Sequence, residues 1–320
     1  MIVRFWGTRG VLPVAATAAQ VRTKVANALL AANGLDLKSR KDIARFIDEN
    51  LTFAGRATYG GATSCVEIDA GNSSFFLCDM GSGLREFGLD ALARRPGVRG
   101  GKYNIFLSHL HWDHIMGLPF FLPASDPNTQ IVIHSCHGNA EQALRRQQAE
   151  ISFHRPFEEW AADFHFITMQ AGQDYVIDGM TVTAIAQDHP GASFGYRFTD
   201  GAGRSAVYST DCEHNIDDMY QEDAFVAFFA NADLIIADTM YSLAATSSTK
   251  ENRGHSSNLV AIDLCRQAKA KRLALFHHDP LHDDAEIEQM HEDSLRYEKL
   301  SRDGAPLEVL CAYDGLEVAL

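Results

Sequence analysis

Residues 104–114 read NIFLSHLHWDH, an apolar run that passes directly into four side chains of the metal-ligand type. The apolar run predicts a buried strand. Side chains at positions i and i+2 of an extended chain point the same way, so His109 and His111 can grip one cation together. Asp113 and His114 follow where the chain turns and can face a second cation beside the first. Imidazole and carboxylate ligands suit zinc, and also manganese or iron.

The ends of later strands supply the remaining ligands that such a site needs. Three predicted strands each end in a histidine or an aspartate: His189 after residues 181–186, Asp211 after residues 205–209 and His277 after residues 272–276. Because a pair of cations needs more ligands than one loop can offer, we expect these side chains to complete the site. A carboxylate that bridges two cations is typical of two-metal hydrolases. The alternative is a polar surface loop with solvated histidines, which does not explain why ligand-type residues gather at strand ends.

The composition is that of a soluble globular protein. Of its 320 residues, 46% are hydrophobic and 22% are charged, and the formal net charge is −14. An acidic chain repels a phosphate backbone, which argues against long nucleic acid as the substrate. A small anionic substrate stays compatible with this charge, because bound cations reverse the local field.

The cysteines and the amino terminus bear on the compartment. Six cysteines are scattered along the chain without a Cys-x-x-Cys pair, which predicts reduced, mostly buried thiols in a cytoplasmic protein. Residues 1–6 predict a first strand and lack the leader pattern of a signal peptide. No apolar run approaches the ~20 residues that span a bilayer, so we expect no membrane partner.

Hydrophobic periodicity predicts alternating strands and helices, and hence an α/β protein. The predicted strands comprise residues 2–6, 65–69, 75–78, 103–107, 131–134, 175–177, 181–186, 194–198, 205–209, 234–237 and 272–276. The predicted helices comprise residues 17–34, 39–51, 139–151, 215–230, 256–269 and 283–302. No internal repeat or linker is evident, so we expect a single domain over residues 1–320.

A helical pair is predicted to interrupt this pattern after the first strand. Ser39 and Asp42 form a capping box at the start of the second helix of the pair. We interpret residues 14–57 as an insertion, and two readings of it stay open. It is either an extra packed layer, or a lid or dimer surface, and the second reading allows a homodimer.

The order His-x-His-x-Asp-His, followed by His, Asp and His, resembles the metallo-β-lactamase superfamily. More closely, the chain resembles its branch of phosphodiesterase-like hydrolases, which includes the tRNA 3′-processing endonucleases and the hydrolases of cyclic phosphodiesters. The resemblance covers nearly the whole chain apart from the insertion. It also rests on five further segments: FWGTRG at 5–10, YGGATSC at 59–65, DMGSG at 79–83, GHSS at 254–257 and FHHDP at 276–280.

The resemblance implies an αββα sandwich with the site at one edge of its two sheets. It implies two divalent cations with a divided set of ligands: His109, His111 and His189 for the first, Asp113, His114 and His277 for the second, and Asp211 as the bridge. It also implies that Asp79 orients the metal loop, against the alternative that Asp79 caps a helix. His277 is the implied ligand rather than His278, which we expect to pack or to hydrogen-bond with Asp279. Ala62 stands where relatives carry Asn, which puts one contact to the metal loops in doubt.

Two residues are candidates for a catalytic role. His255 precedes a predicted helix, where free N–H groups attract anions. In the tRNA-processing relatives a histidine in this setting contacts the phosphate and assists the leaving group, and the alternative is a solvated histidine at a capped helix start. Asp113 would orient the attacking hydroxide and accept its proton.

The sequence therefore predicts a dinuclear metal-dependent hydrolase. The best expectation is a phosphodiesterase that acts on a small phosphodiester, such as a cyclic nucleotide, by attack of a metal-bridging hydroxide. Zinc is the first choice of metal, with manganese or iron as alternatives. Two other functions stay open: a lactone, thioester or lactam hydrolase of the same fold, and a metal-bound sensor or partner-binding module with little catalysis.

Overall fold

The computed structural model describes residues 1–94, 100–151, 153–214, 219–242 and 254–320. Within them, the chain forms short strands separated by helices and turns. In chain order the strands are β1 Ile2–Gly7, β2 Cys65–Asp69, β3 Phe75–Cys78, β4 Gly101–Leu107, β5 Thr129–Ser135, β6 Asp163–Thr168, β7 Asp174–Ile177, β8 Met180–Gln187, β9 Ser193–Thr199, β10 Ser205–Ser209, β11 Leu234–Asp238, β12 Arg272–Phe276, β13 Glu308–Cys311 and β14 Glu317–Ala319.

These strands form two mixed sheets of seven strands each, as far as the described residues show. The first sheet has the order β14-β1-β2-β3-β4-β5-β6, and the second has the order β13-β12-β11-β10-β9-β8-β7. Strands β3 to β6 are parallel, and so are strands β10 to β13. Because the carboxyl ends of parallel strands meet at one edge, each sheet brings the residues that follow several strands to a common edge.

The described helices are α1 Ala18–Ala31, α2 Arg40–Asn50, α3 Phe53–Arg56, α4 Leu84–Arg94, α5 Trp112–Ile115, α6 Ala140–Gln147, α7 Met219–Phe229, α8 Asn258–Gln267 and α9 Asp284–Ser301. Several of them cover the outer faces of the two sheets. Side chains of α4 and α6 pack on the first sheet, and side chains of α7 and α8 pack on the second. The region between the sheets is filled by large apolar side chains that are wholly buried, among them Phe5, Phe106, Tyr208 and Phe276. The predicted αββα sandwich is confirmed.

The elements differ from the sequence prediction mainly at edges. The prediction did not include β6, β13, β14 or α4. The helix predicted at 139–151 ends at Gln147, and the helix predicted at 215–230 is described only from Met219, since residues 215–218 lie outside the described part. Both sheet-edge strands β6 and β14 carry mixed or exposed burial patterns, so their sequences lack a clean apolar face.

The predicted insertion contains α1, α2 and α3, between β1 and β2. Thr17 caps α1 and Ser39 caps α2, each through a capping box, as predicted for Ser39. Helix α1 has no buried residue, and its apolar stripe of Val21, Val25 and Leu29 is 50%, 55% and 68% exposed. This exposure favours the lid or dimer surface over a packed layer, and the homodimer stays a prediction.

No described helix combines the length and the apolar character needed to cross a membrane. All six cysteines are free thiols, and five of them are buried. Burial raises the pKa of the Cys265 thiol and, to about 12, that of Cys212, so both stay protonated at neutral pH. The predicted pattern of reduced, mostly buried thiols agrees with this arrangement.

Candidate metal centre

The candidate site lies at the carboxyl ends of strands from both sheets. From the first sheet, β4 runs into the loop that carries His109, His111, Asp113 and His114. From the second sheet come the residues just after β8, β10 and β12: His189, Asp211 and His277. The sequence alone suggested this placement, because each of these positions follows an apolar strand. The fold adds the reason that they meet, since both sheets present their strand ends to one edge.

Ligand atoms of six of the seven predicted residues form two neighbouring triads. Donor atoms of His109, His111 and His189 all lie within 4.8 Å of one another. The same holds for a second triad, formed by Asp113, His114 and His277. These are the two sets that the resemblance implied. All seven side chains are buried except that of His111, which is exposed at the opening of the site.

Asp211 lies between the two triads, and its two oxygens face different ones. Oδ2 lies 3.6 Å from Nε2 of both His109 and His189. Oδ1 lies 3.3 Å from Nε2 of His114 and 3.2 Å from Nε2 of His277. One carboxylate therefore faces both triads, which is the arrangement of a bridging ligand.

The buried polar atoms of the site fit a cation at each triad. Nε2 of His109 and Nε2 of His114 are buried without a hydrogen bond. A buried nitrogen without a hydrogen bond lowers the stability of the folded protein. Both of these nitrogens face the carboxylate of Asp211, as other imidazoles of the site do. Ligands of nitrogen and carboxylate type at this spacing suit zinc, manganese or iron.

The electrostatics also favour positive charge in this place. Burial would raise the pKa of Asp211, but His277, His114 and His109 outweigh it and hold the pKa well below the usual range. Burial lowers the pKa of His114, yet the carboxylates of Asp113 and Asp211 raise it well above the usual value. The site is thus built around carboxylates that stay ionised, and it attracts a positive charge.

Hydrogen bonds behind the imidazoles fix their orientation. Nδ1 of His114 donates to Oδ2 of Asp79 at 2.7 Å, which leaves Nε2 to face the site. Asp79 also accepts hydrogen bonds from Tyr208 Oη and from Ser108 Oγ, each at 2.7 Å. Nδ1 of His189 donates to the carbonyl oxygen of Gly254 at 2.8 Å. Such outer contacts set the tautomer of a ligating histidine, and Asp79 plays the orienting part that the resemblance implied rather than capping a helix.

The backbone around the site is strained. Four non-glycine residues there adopt the left-handed region: Val11 at φ 61°, Asp79 at φ 62°, Asp211 at φ 50° and His277 at φ 63°. This conformation is rare for non-glycine residues and costs about 1–3 kcal/mol at each position. The strained conformation of Val11 accompanies a contact to the site, because its N–H donates to Oδ2 of Asp113 at 2.7 Å.

A second pair of side chains borders the triads. Nδ1 of His255 donates to Oδ2 of Asp238 at 2.7 Å, and both side chains are buried. The His255 ring stacks on that of His277, with ring centroids 5.3 Å apart and planes 22° apart. Burial lowers the pKa of His255, but the Asp238 carboxylate outweighs it and the pKa is about 9. His255 is therefore held as a cation beside the predicted ligands.

With this geometry described, the chain can be compared with known proteins. The Beta-lactamase superfamily domain matches residues 68–278, which include all seven predicted ligands as well as Asp238 and His255. The chain belongs to the beta-lactamase superfamily.

Individual relatives of this superfamily member agree with that placement. Ribonuclease Z of Streptococcus agalactiae serotype V is 24% identical over 269 residues, 68% of this chain and 84% of the relative. The metallo-beta-lactamase fold protein YhfI from Bacillus subtilis is 20% identical with a TM-score of 0.64, and covers 99% of this chain and 98% of its own. Zn²⁺-bound PqqB from Methylobacterium extorquens is 12% identical with a TM-score of 0.64, over 100% of both chains. The predicted superfamily, the resemblance to its ribonuclease Z-like branch and the hydrolase class are confirmed.

Two details of this beta-lactamase superfamily chain refine the sequence prediction. His278 was expected to pack or to hydrogen-bond with Asp279; it packs in the core against Tyr59, and its Nε2 donates to the carbonyl oxygen of Ala312 at 2.8 Å. Burial lowers the pKa of His278 to about 3, so it is a neutral core residue. The helix after His255 begins at Asn258 with Ser257 as its cap, two residues later than predicted. His255 therefore lies outside the helix, in the loop that leads to it.

The residue that sequence reasoning missed is Asp238. It ends β11, between the strands that end at Asp211 and His277, so the same strand-end signal could have found it. The structure also shows how the segment around Ala62, which lacks the Asn of its relatives, contacts the metal loop. The next residue, Thr63, donates from Oγ1 to the carbonyl oxygen of Asp113 at 2.7 Å, which ties this segment to the metal loop without an Asn side chain.

A methyl group at Gly10 is expected to weaken the second triad in this superfamily member. A Cβ there would lie 2.6 Å from Cε1 and 2.7 Å from Nδ1 of His277, so the imidazole must shift. We expect Gly10→Ala to weaken cation binding about 10- to 100-fold, as read by calorimetric titration with zinc. Gly138→Ala is the matched control, because nothing lies within 4 Å of its Cβ position. Equal affinity in the two variants would contradict the packing argument.

Proposed function

We propose that the protein is a phosphodiesterase that holds two divalent cations and hydrolyses a small phosphodiester. The observation that carries the proposal is the position of Asp211, whose two oxygens face two separate triads of ligand atoms. A pair of cations bound there would activate water and neutralise the charge of a phosphodiester. Zinc is the first choice of cation, with manganese or iron as alternatives.

In this proposal His109, His111 and His189 hold one cation, and Asp113, His114 and His277 hold the other. In each case the side chain already lies where its proposed role requires it. The imidazoles of His114 and His189 are oriented by hydrogen bonds on their far nitrogens, and the carboxylate of Asp113 is held by the N–H of Val11. A site fixed in this way loses little energy in reorganisation when the substrate reacts.

Two residues assist the proposed reaction: one orients the water and the other donates a proton to the leaving oxygen. The carboxylate of Asp113 has a pKa far below its usual range, because the neighbouring His114 and His277 outweigh its burial, so it stays ionised and orients the attacking water. His255 is held as a cation by Asp238 and can donate its proton to the departing oxygen. Its charge also favours binding of the phosphodiester anion.

The net charge of the chain bears on the size of the substrate. The name of the curated relatives, Ribonuclease Z, points to RNA as the substrate of those proteins. This chain carries a net charge of −14, which disfavours a long polyanion more than a small diester. A small diester, such as a cyclic nucleotide, is the substrate class that this charge and the buried site favour together.

A metal-replete activity screen tests the proposal against its alternatives. Protein stripped with a chelator is expected to lack activity on bis(p-nitrophenyl) phosphate and to regain it when zinc or manganese is added. A β-lactam and a lactone are assayed in parallel under the same conditions. Hydrolysis of either of these without hydrolysis of the phosphodiester would replace the proposal by the lactam or lactone alternative. Tight cation binding without hydrolysis of any of the three would favour the sensor.

A further inference from the structure

A cavity of about 390 Å³ lies between the metal loop and α6. Its lining includes Leu110, Trp112, Ile115, Asn139, Gln142 and Arg146. Leu110 and Trp112 are the chain neighbours of the proposed ligand His111, so the cavity borders the loop that carries four of the proposed ligands. We refer to it as the Trp112 cavity. Its volume lies in the range of cavities that bind small molecules, roughly 300–1,000 Å³.

Trp112 offers an apolar ring face to this cavity. The side chain is 71% exposed, and its indole N–H makes no hydrogen bond within the part of the chain that the structure describes. Its backbone is nevertheless fixed, because it is the first residue of α5 and lies between two proposed ligands, His111 and Asp113. A large aromatic ring that is exposed on a rigid backbone beside a reactive centre suits stacking against a planar ligand.

The α6 side of the cavity carries polar groups that the protein itself does not use. Asn139, Gln142 and Arg146 lie three and four residues apart, on one face of the helix. Among the described residues, none of these three side chains has a hydrogen-bond or ion-pair partner, and the side chain of Asn139, the N-cap residue of α6, makes no capping hydrogen bond. Arg145, by contrast, binds Glu141 and Glu158. The Arg146 guanidinium therefore has no carboxylate partner in the described part of the chain, whose net charge as a whole is strongly negative.

We propose that the Trp112 cavity binds the nucleoside part of a nucleotide diester, with the base stacked on Trp112. Arg146 would then meet an anionic or carbonyl oxygen of that part, and the two amide side chains would meet the polar edge of the base. The inference rests on the proposed phosphodiesterase function and gives its substrate class. A single cavity of this size accepts one nucleoside, which agrees with a small diester.

Two esters with the same leaving group separate this role from general effects on the site. Thymidine 5′-(p-nitrophenyl phosphate) carries a nucleoside, and methyl p-nitrophenyl phosphate carries none. We expect kcat/KM of the wild-type protein to favour the thymidine ester by about tenfold or more, since stacking on an aromatic side chain contributes at that scale. Trp112→Ala is expected to remove most of this preference through KM, and Trp112→Phe is expected to retain part of it.

Arg146→Gln is a second test of the cavity, and it changes a residue of α6 and not one of the metal loop. It is expected to lower the preference for the thymidine ester severalfold, whereas Arg145→Gln, a matched charge change on the same helix, is expected to leave the preference as it is. Elemental analysis accompanies each variant. If Trp112→Ala loses its cations and with them all activity, the comparison of Arg146→Gln with Arg145→Gln decides whether the Trp112 cavity binds the nucleoside. A preference that survives both Trp112→Ala and Arg146→Gln would overturn the proposal.

Failure of the proposed function would look different from failure of the cavity. If the metal-replete wild type hydrolyses neither ester, the phosphodiesterase proposal fails, and the cavity is then tested by binding alone. Adenosine monophosphate is expected to quench tryptophan fluorescence in the wild type, and this quenching is expected to be lost in Trp112→Phe. Quenching with that loss would support the cavity as a nucleotide site without catalysis. Absence of quenching, or quenching that is equal in Trp112→Phe, would overturn it.

Discussion

Replacement of Asp211 by asparagine is expected to lower the rate of phosphodiester hydrolysis by about a thousandfold or more. Asparagine keeps the shape of the side chain, and it tolerates the left-handed backbone at this position better than most residues do. Its amide has one oxygen, however, so it can face only one triad as an acceptor, and its NH₂ group donates hydrogen bonds and binds no cation. The other triad then loses its charged partner.

The measurement is kcat on bis(p-nitrophenyl) phosphate together with the cation content by elemental analysis. We expect the content to fall from a pair of cations to at most a single ion. Asp163→Asn is the control for the loss of one negative charge, because Asp163 is exposed on the edge strand β6 and pairs only with His165 among the described residues. A full complement of cations and an unreduced rate in Asp211→Asn would refute the bridging role.

Replacement of His255 by asparagine is expected to separate substrates by their leaving group. A diester that releases a nucleoside hydroxyl needs a proton on the departing oxygen, and its kcat is expected to fall about 10²- to 10⁴-fold. A p-nitrophenyl ester releases a stable anion without that proton, so its kcat is expected to fall by less than about tenfold. The cation content is expected to match that of the wild type, because His255 is not among the seven proposed ligands.

Asp238→Asn tests the proton-donating role of His255 through the residue that positions it. Asp238 is a positioning residue, since its contact is with Nδ1 of His255 at 2.7 Å. We expect the same dependence on the leaving group with a smaller loss, since the amide oxygen of asparagine can still accept the hydrogen bond but does not hold the positive charge. Equal losses on both kinds of ester would assign the two residues to substrate binding or cation retention instead of proton donation.

The residues that meet in the candidate site were largely predictable, and the reason is local. His109 and His111 alternate along an extended chain, and His189, Asp211 and His277 each follow an apolar strand. Periodicity and position therefore indicate both the residues and the edge of the sheet at which they lie. How they divide into two triads was not local information. It came from the resemblance, and in the structure it depends on how the two sheets face each other.

The contacts that orient the site could not be predicted from the sequence. Asp79 meets Tyr208 across 129 positions of the chain, and Asp238 meets His255 across 17. Neither pair has a periodic signature, so only the packed fold brings the partners together. The hydrogen bond of the buried His278 to the carbonyl oxygen of Ala312 was not predictable for the same reason, because a backbone carbonyl acceptor leaves no mark in the sequence.

The missed strands have a related cause. Strand β14 has three residues and pairs with β1, from the opposite end of the chain, so nothing in its own neighbourhood specifies a strand. Strand β6 closes the other end of the same sheet with a largely exposed pattern. Edge strands bury little surface, and hydrophobic alternation, the main signal for a strand, is weakest there.

The division of the strands bears on the order of events as the chain folds. Nearly all of the first sheet is made from residues 2–168 and all of the second from residues 174–311. Each triad takes two residues from the earlier half and one from the later half, and Asp211 also comes from the later half. A nascent chain that has only its first half outside the ribosome thus has no complete set of ligands for either proposed ion. If two ions bind as proposed, their capture is a late step that follows the joining of the two halves, and an ion that reaches the chain earlier is held only loosely.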